Sequence, residues 1–534
     1  MFDTAKKRYR FRLVIPAYPA VNIYSLAAKR TTALGPVCVA SVVNKMDRWD
    51  AEVIDENNLR RFGPRSFVGG ADHEFLQNQR PADIVGLYGG LTSTIPRLFE
   101  IAKYYKSRNI ITIAGGQHFS EDTALEALNS GIDYLVIGEG EETIKEFITA
   151  MEQGSDISNI NGLAYLVKDK VVFTQKREPV VDFDDLPLPD FSLVRYAKID
   201  CYPVGRIRGC GMNCEFCAVK GKLRYATPER FIEQISFIVE TKNAKKFFIV
   251  DDLFGQQRDE TIRVCNMIRD YQQKIGKRLS FGIQIRLDKA KDPELLLAMR
   301  QAGVNSVAIG FESPIKEELK SMEKQLAPEE MQHFVKLFHK FGFIVHGMFI
   351  FGYPTKESVG FYMTARERIK RLKNFIRKSR IDTIQVLLPV PLPGTELRRR
   401  LQKDNRLYSS KDVGWEYYDG NYPLFEPDKP MTAEEMQNSI WKIMSKFYQF
   451  KYMFFFVLNI FSFPSMIFFL HNIKAGWRRW YRPWHNYSLR FAGWIFLKKW
   501  TRAFQKDTFG EKLKKAKENL QVNTQTNTEV KVHA

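Results

Sequence analysis

The run Arg208-Gly209-Cys210-Gly211-Met212-Asn213-Cys214-Glu215-Phe216-Cys217 places three cysteines within eight residues, in the spacing C-x3-C-x2-C. Three thiolates on one short loop can hold three irons of a [4Fe–4S] cluster and leave the fourth iron without a protein ligand. An open iron is where chemistry happens, whereas a fully ligated cluster mostly passes electrons. Ferredoxin spacings supply four cysteines and do not match this one. The alternative is a structural zinc site, which normally needs a fourth Cys or His close by. Neither is close: the next cysteine is Cys265 and the next histidine His333.

From about Cys201 the chain alternates strand-like and helical patterns. Strands are expected at 202–207, 246–250, 279–285, 306–309, 344–350 and 381–387. Helices are expected near 227–240, 259–274, 293–301, 328–341 and 357–376. Six such βα units predict a partial (β/α)6 TIM-type barrel over 196–400, with the cysteine run directly after its first strand. That is the carboxyl-terminal mouth, where barrel chemistry is found.

A first alternating series precedes it. Strands at 11–16, 51–55, 83–88, 110–114 and 134–137 are interleaved with helical patterns near 35–44, 94–107, 121–130 and 142–154. This reads as a Rossmann-like doubly wound parallel sheet over 1–160. Ligands on such sheets bind beyond the carboxyl ends of the strands. Those ends carry Pro16-Ala17-Tyr18-Pro19, Gly89-Gly90-Leu91-Thr92-Ser93, Gly115-Gly116-Gln117-His118 and Gly138-Glu139-Gly140-Glu141. Glycines there let a ligand approach the backbone, although tight turns would explain them as well. Residues 161–195 read as a hairpin, 163–167 with 171–174, followed by an acidic, proline-punctuated connector at 182–190.

The cysteine spacing resembles the signature of the radical S-adenosylmethionine (SAM) superfamily, and Phe216 fits that family's aromatic residue before the third cysteine. The resemblance implies that SAM chelates the open iron and is cleaved by one electron to methionine and a 5′-deoxyadenosyl radical. That radical would take a hydrogen atom from an unactivated carbon. By the same resemblance, Asp251 and Asp252 at the end of the second barrel strand would bind the SAM amino group. Gln284 and Arg286 end the third strand, and Arg286 could pair with the SAM carboxylate. Gly310-Phe311-Glu312-Ser313 is similar to the family's Gly-x-Glu-Ser element, with Glu312 at the ribose hydroxyls. Asp251 could equally be a helix cap or turn residue, and Arg286 a partner for a neighbouring Asp.

Residues 10–150 resemble the cobalamin-binding domain that precedes the radical SAM domain in one large subfamily. The resemblance implies cobalamin contacts from Tyr18, Gly90, Thr92, Ser93, Gly115, Gly116, His118, Gly138, Glu139 and Gly140. One departure matters: the Asp-x-His-x-x-Gly motif that supplies an axial histidine is absent, and His118 does not stand in it. In the subfamily's commonest reaction methylcobalamin donates a methyl group to a carbon radical, and a second SAM regenerates it. Relatives use the same parts for cyclisation, rearrangement or oxidation. A one-electron reductant such as flavodoxin or ferredoxin is the expected partner. The reading from another class is a non-catalytic cobalamin sensor, against which the intact cysteine triplet speaks.

At 534 residues the chain is too long for one core. The remaining cysteines, Cys38, Cys201 and Cys265, are scattered, which argues for a reducing compartment and against a disulfide framework. The N-terminus shows no apolar stretch of signal-peptide length, so a cytoplasmic protein is expected. The net charge of +20 is concentrated: residues 440–534 hold 17 Lys and Arg against 4 Asp and Glu. Five of the eight tryptophans fall between Trp477 and Trp500.

The apolar, phenylalanine-rich stretch 452–470 is near the minimum length for a membrane span. Interleaved aromatics and cations over 477–500 suit a bilayer interface. Three readings of the helical region 401–534 follow: a peripheral contact with the inner face of the membrane, a buried cap closing the barrel over an apolar substrate, or a true span. The first motivates a lipid-like substrate. Nucleic acid is not expected, because no binding module accompanies the aromatics. The polar end from Gln521 reads as disordered.

Overall fold

The computed structural model describes residues 8–19, 22, 28–60, 62–67, 69–324, 326–469 and 473–532, without the side chains of 462–482 and 523–532. Two sheets dominate. The first is built from β1 (Tyr9–Ile15), α1 (Leu34–Asn44), β2 (Trp49–Asp55), α2 (His73–Gln79), β3 (Ile84–Tyr88), α3 (Ile95–Lys106), β4 (Ile111–Gly115), α4 (Glu121–Asn129), β5 (Tyr134–Val136) and α5 (Glu141–Gln153). Its strands are nearly all buried, as a parallel sheet covered by helices on both faces requires. Sequence periodicity missed α2, a seven-residue helix capped by Asp72.

The hairpin β6 (Leu163–Val167) and β7 (Lys170–Phe173) is not a separate linker. It pairs antiparallel with β5 and extends the sheet, while β8 (Val194–Arg195) adds to the far edge beside β2. The full order is β7-β6-β5-β4-β3-β1-β2-β8. Residues 161–195 therefore wrap the first sheet at both edges.

The second sheet holds β9 (Tyr202–Val204), β12 (Lys246–Phe254), β13 (Ser280–Ile285), β14 (Val304–Glu312), β15 (Ile344–Ile350) and β16 (Thr383–Leu387), all parallel and in chain order. No ladder joins β9 to β16, so the expected partial barrel is open. Between the strands lie α6 (Pro228–Lys242), α7 (Arg258–Ile275), α8 (Pro293–Gln301), α9 (Lys316–Ser321), α10 (Pro328–Lys340) and α11 (Ala365–Ser379). Alternation sets the two faces: Phe247, Ile249, Phe281, Ile283, Val307 and Val345 are buried under the helices. Phe248, Val250, Gln284, Ala308, His346 and Met348 take the concave inner face.

The expected first barrel strand, 202–207, breaks at Gly205. Asp251 Oδ1 accepts the backbone N–H groups of Arg206 (2.6 Å) and Ile207 (2.9 Å) and draws them off the sheet edge. The chain then forms β10 (Ile207–Arg208), paired antiparallel with β11 (Arg224–Tyr225).

Beyond the barrel come α12 (Glu396–Lys403), α13 (Ser410–Val413), α14 (Ala433–Phe447), α15 (Lys451–Phe469), α16 (Ile473–Phe504) and α17 (Phe509–Val532). The Tyr448 hydroxyl donates to the Ile384 carbonyl at 2.7 Å and accepts its N–H at 2.8 Å, so α14 ends along the free edge strand β16, while the Gly420 carbonyl accepts the Leu388 N–H at that strand's mouth end. Among the described residues no helix is long and apolar enough to cross a membrane. Leu470 and the side chains of Trp477, Trp480 and their neighbours lie outside the described residues. The tail from Gln521 continues α17 as helix to Val532.

Candidate active site

The cysteine run sits in the excursion between β10 and β11, a two-stranded base that closes it like a clasp. Gly209 permits the entry: its φ is +82°, and a Cβ there would lie 2.4 Å from the Lys222 carbonyl oxygen. Gly209 N donates to Asp252 Oδ2 at 3.0 Å. The thiols of Cys210, Cys214 and Cys217 are neighbours. Burial pushes the Cys210 and Cys217 thiols up, toward the neutral form, and the nearby sulfurs push them further. Their side chains are not drawn into a metal-ligating geometry, and among the described residues no three His, Cys, Asp or Glu groups are.

Side chains of the loop are tied to the barrel mouth. Glu215, buried within the motif, accepts bonds from Arg400 Nε (2.6 Å) and Nη2 (3.0 Å) and from the Tyr353 hydroxyl (2.5 Å). Phe216 meets the Tyr353 ring edge to face, with centroids 6.1 Å apart. Arg286 places Nη1 3.2 Å from the Met212 sulfur, while its Nε donates to Asp288 at 2.9 Å. Sequence reasoning missed Glu215 and Arg400; a buried carboxylate between two cysteines was the available signal.

Glu312 stands at the end of β14 with φ +59°, a left-handed conformation that costs a non-glycine residue energy and calls for support. Lys324 supplies it, donating to Glu312 Oε1 at 2.8 Å. Burial alone would push the Lys324 ammonium down, but Glu312 and the nearby Cys214 hold it above its ordinary value. Lys324 was likewise not foreseen. Asp252 is half-buried at the mouth, whereas Asp251 is fully buried and spent on the backbone of 206–207. Gln284 is exposed on the inner barrel face. The Ser313 hydroxyl donates to Glu318 and accepts Ile315 N, so it is engaged away from the loop.

One cleft of about 1100 Å³ runs from the ends of β3, β4 and β5 to the cysteine loop. Gly115, Gly116, Gly138, Glu139 and Gly140 line it, as do Arg208, Gly209, Val219, Lys220, Val250 and Asp252. That is larger than an ordinary small-molecule pocket of roughly 300–1,000 Å³. Gly116 (φ +133°) lets the two neighbouring strand ends touch, since a Cβ would lie 2.5 Å from the Gly89 carbonyl carbon.

Five expected cobalamin contacts lie elsewhere. Tyr18 donates its N–H to Asn57, and the Gly90 position is filled by the Tyr88 ring. Thr92 and Ser93 are buried in a short turn packed against 415–417. His118 is buried against Trp415, with ring centroids 4.9 Å apart and Nδ1 3.4 Å from Thr92 Oγ1. Burial pushes His118 down to about 3. A neutral imidazole shut behind a tryptophan does not reach the cleft.

A family model for the radical SAM superfamily matches residues 204–386, and one for the B12 binding domain matches residues 27–148. The chain carries a radical SAM domain with a B12-binding domain ahead of it. It is an enzyme, and the two matched domains are those of radical SAM and B12-binding proteins. An uncharacterized methyltransferase of Pyrococcus horikoshii is 29% identical over 380 residues, 68% of this chain and 78% of that protein. The hopanoid C-2 methylase of Rhodopseudomonas palustris is 28% identical over 371 residues, 68% of this chain and 63% of that protein. Two solved structures share the fold. TsrM of Kitasatospora setae, with cobalamin and a [4Fe–4S] cluster bound, has TM-score 0.60 at 15% identity, covering 91% of this chain and all of that one. OxsB with aqua-cobalamin has TM-score 0.62 at 15% identity, covering 96% and 84%.

The residues fit these groups. Three soft thiols on one loop, with Lys324 and Arg286 nearby, suit an anionic cluster open at one iron. Gly138 (φ +103°) has no atom within 4 Å of its would-be Cβ, leaving the backbone bare to a large cofactor.

Proposed function

We propose that the chain methylates an unactivated carbon of an apolar, lipid-like molecule in a cobalamin-dependent radical SAM reaction. The observation that carries this reading is the single cleft: it joins the glycine turns of the B12-binding domain, the cysteine loop and Val250 of the barrel's inner face. When bound, the cluster supplies an electron to SAM, and cobalamin supplies a transferable methyl group. The remaining work falls to the protein's own residues. Cys210, Cys214 and Cys217 would hold the cluster. Asp252 and Arg286, which already touch the loop at Gly209 and Met212, would take the SAM amino and carboxylate groups. Glu312, braced by Lys324, would take the ribose hydroxyls.

Asp251 and Ser313 act as braces in this scheme, because their oxygens are occupied by the chain itself. Gly115, Gly116, Gly138 and Gly140 would cradle cobalamin, and Glu139 would fix the turn they belong to. Phe248, Val250 and Met348 give the substrate an apolar wall, with Gln284 and the His346–Thr383 pair (2.9 Å) as its polar points. The electron would come from a flavodoxin- or ferredoxin-like donor. The protein would work in the cytoplasm against the inner face of the membrane.

Cyclisation is the second reading, favoured by similarity to an anaerobic magnesium-protoporphyrin IX monomethyl ester cyclase of Rubrivivax gelatinosus, 25% identical over 371 residues. One experiment separates the two. Anaerobically reconstituted protein is given reductant, SAM with a deuterated methyl group, and a lipid extract. Label recovered on carbon in an organic-soluble product, with 5′-deoxyadenosine and S-adenosylhomocysteine formed together, supports methylation. 5′-Deoxyadenosine with an unlabelled product that has lost hydrogen overturns it in favour of ring closure.

A further inference from the structure

A helix of a folded domain ordinarily buries an apolar stripe. In α15 none of residues 451–461 is buried, although nine of the eleven are Phe, Val, Leu, Ile, Met or Tyr. Phe454, Val457, Leu458 and Phe461 are spaced for one helix face, and all four are exposed, Leu458 by 63% and Phe461 by 73%. The opposite side is accounted for. Phe455 and Tyr452 pack on Tyr487, and Phe456 stacks on Trp484 with centroids 5.2 Å apart, so α15 leans on α16 and turns this face outward.

The charge of the hairpin is one-sided. Residues 451–506 contain ten Lys and Arg and no Asp or Glu. An apolar face within a wholly cationic segment is complementary to lipid that is apolar inside and anionic at its surface. We propose that α15 and α16 dock on an anionic phospholipid bilayer, with Phe454, Val457, Leu458 and Phe461 inserted among the headgroups. The helices lie along the surface, because the apolar residues are on a side of α15 and, among the described residues, no helix is long and apolar enough to cross. The docking deepens the lipid-like substrate reading and does not require methyl transfer.

The test is sedimentation of the full-length holoprotein with vesicles. Phosphatidylcholine vesicles carrying phosphatidylglycerol should retain it, and pure phosphatidylcholine or high salt should release much of it. The triple variant Phe454→Ser/Leu458→Ser/Phe461→Ser should lose at least about tenfold in partitioning. Its melting temperature and cluster absorbance should be unchanged. Three results would overturn the proposal: no retention of the wild type, equal retention of the triple variant, or a wild-type dimer in solution that the triple substitution dissociates. The last would mean that a second copy covers this face. None of these readouts depends on whether methyl transfer occurs.

Discussion

Glu139 and Arg224 form a two-pronged ion pair, with Nη1 to Oε2 at 2.9 Å and Nη2 to Oε1 at 2.8 Å. Glu139 belongs to the glycine turn after β5, and Arg224 to the strand that closes the cysteine excursion. Arg208, on the other strand of that clasp, lies 3.3 Å from Glu139 and also bonds Glu141. The B12-binding domain therefore grips the base of the loop that carries the cysteines. A bidentate pair fixes orientation as well as distance. Both side chains are about one-fifth exposed, so solvent screens them only in part.

Glu139→Gln and Arg224→Met should each destabilise the protein, by about 1–3 kcal/mol. The double variant should lose less than the sum, with a coupling of about 1–2 kcal/mol. Thermal melts of the four proteins measure this; strict additivity would show that the pair does no bridging.

Glu215 is held by both Arg400 and Tyr353 in a site with almost no solvent. Glu215→Ala strands a guanidinium, at a cost of about 3–5 kcal/mol. Because the carboxylate lies between two cysteines, iron retained after anaerobic reconstitution should fall with stability. Full iron content in a folded variant would contradict an anchoring role.

Asp251 is pushed up to about 6 by burial, against which the N–H bonds from 206 and 207 work only partly. Its folded-state value stands above the unfolded one, so the neutral acid is the form that folding favours. Relative to Asp251→Asn, the wild type should gain stability as pH falls from about 7.5 to 5, by about 1–1.5 kcal/mol. Melting temperatures across that range decide; a gap that stays constant refutes the sign.

Removing a cluster ligand should separate the two cofactors. Cys214→Ala should abolish 5′-deoxyadenosine formation yet keep corrinoid, because the glycine cradle belongs to the other sheet. The visible spectrum before and after corrinoid extraction, read beside the iron assay, tests this.

The cysteine spacing and the two alternating series were enough to read off both sheets, because thiol spacing and hydrophobic period are local properties. What escaped was decided across the chain. The break at Gly205 comes from a carboxylate 46 residues later, at Asp251. His118 ends a strand as a ligand would, but Trp415, from far along the chain, closes over it. Lys324 and Arg400 lie in unremarkable basic stretches, and only folding sets them beside Glu312 and Glu215. The hairpin at 163–173 was visible as a pair of strands, but the sheet it would join was not.

Asn486 and Arg490 bind α16 to Asp382 and Ile381, just before β16 begins, and Phe504 stacks on Tyr422 beyond the strand's other end. The helix thus runs with the barrel strands for about 20 Å. A protein resting on that hairpin would lie on its side, with its entrance opening along the plane of the bilayer. Such an entrance meets molecules at headgroup level, edge on. It would favour a substrate whose reactive carbon can swing out of the leaflet while the rest of the chain stays behind.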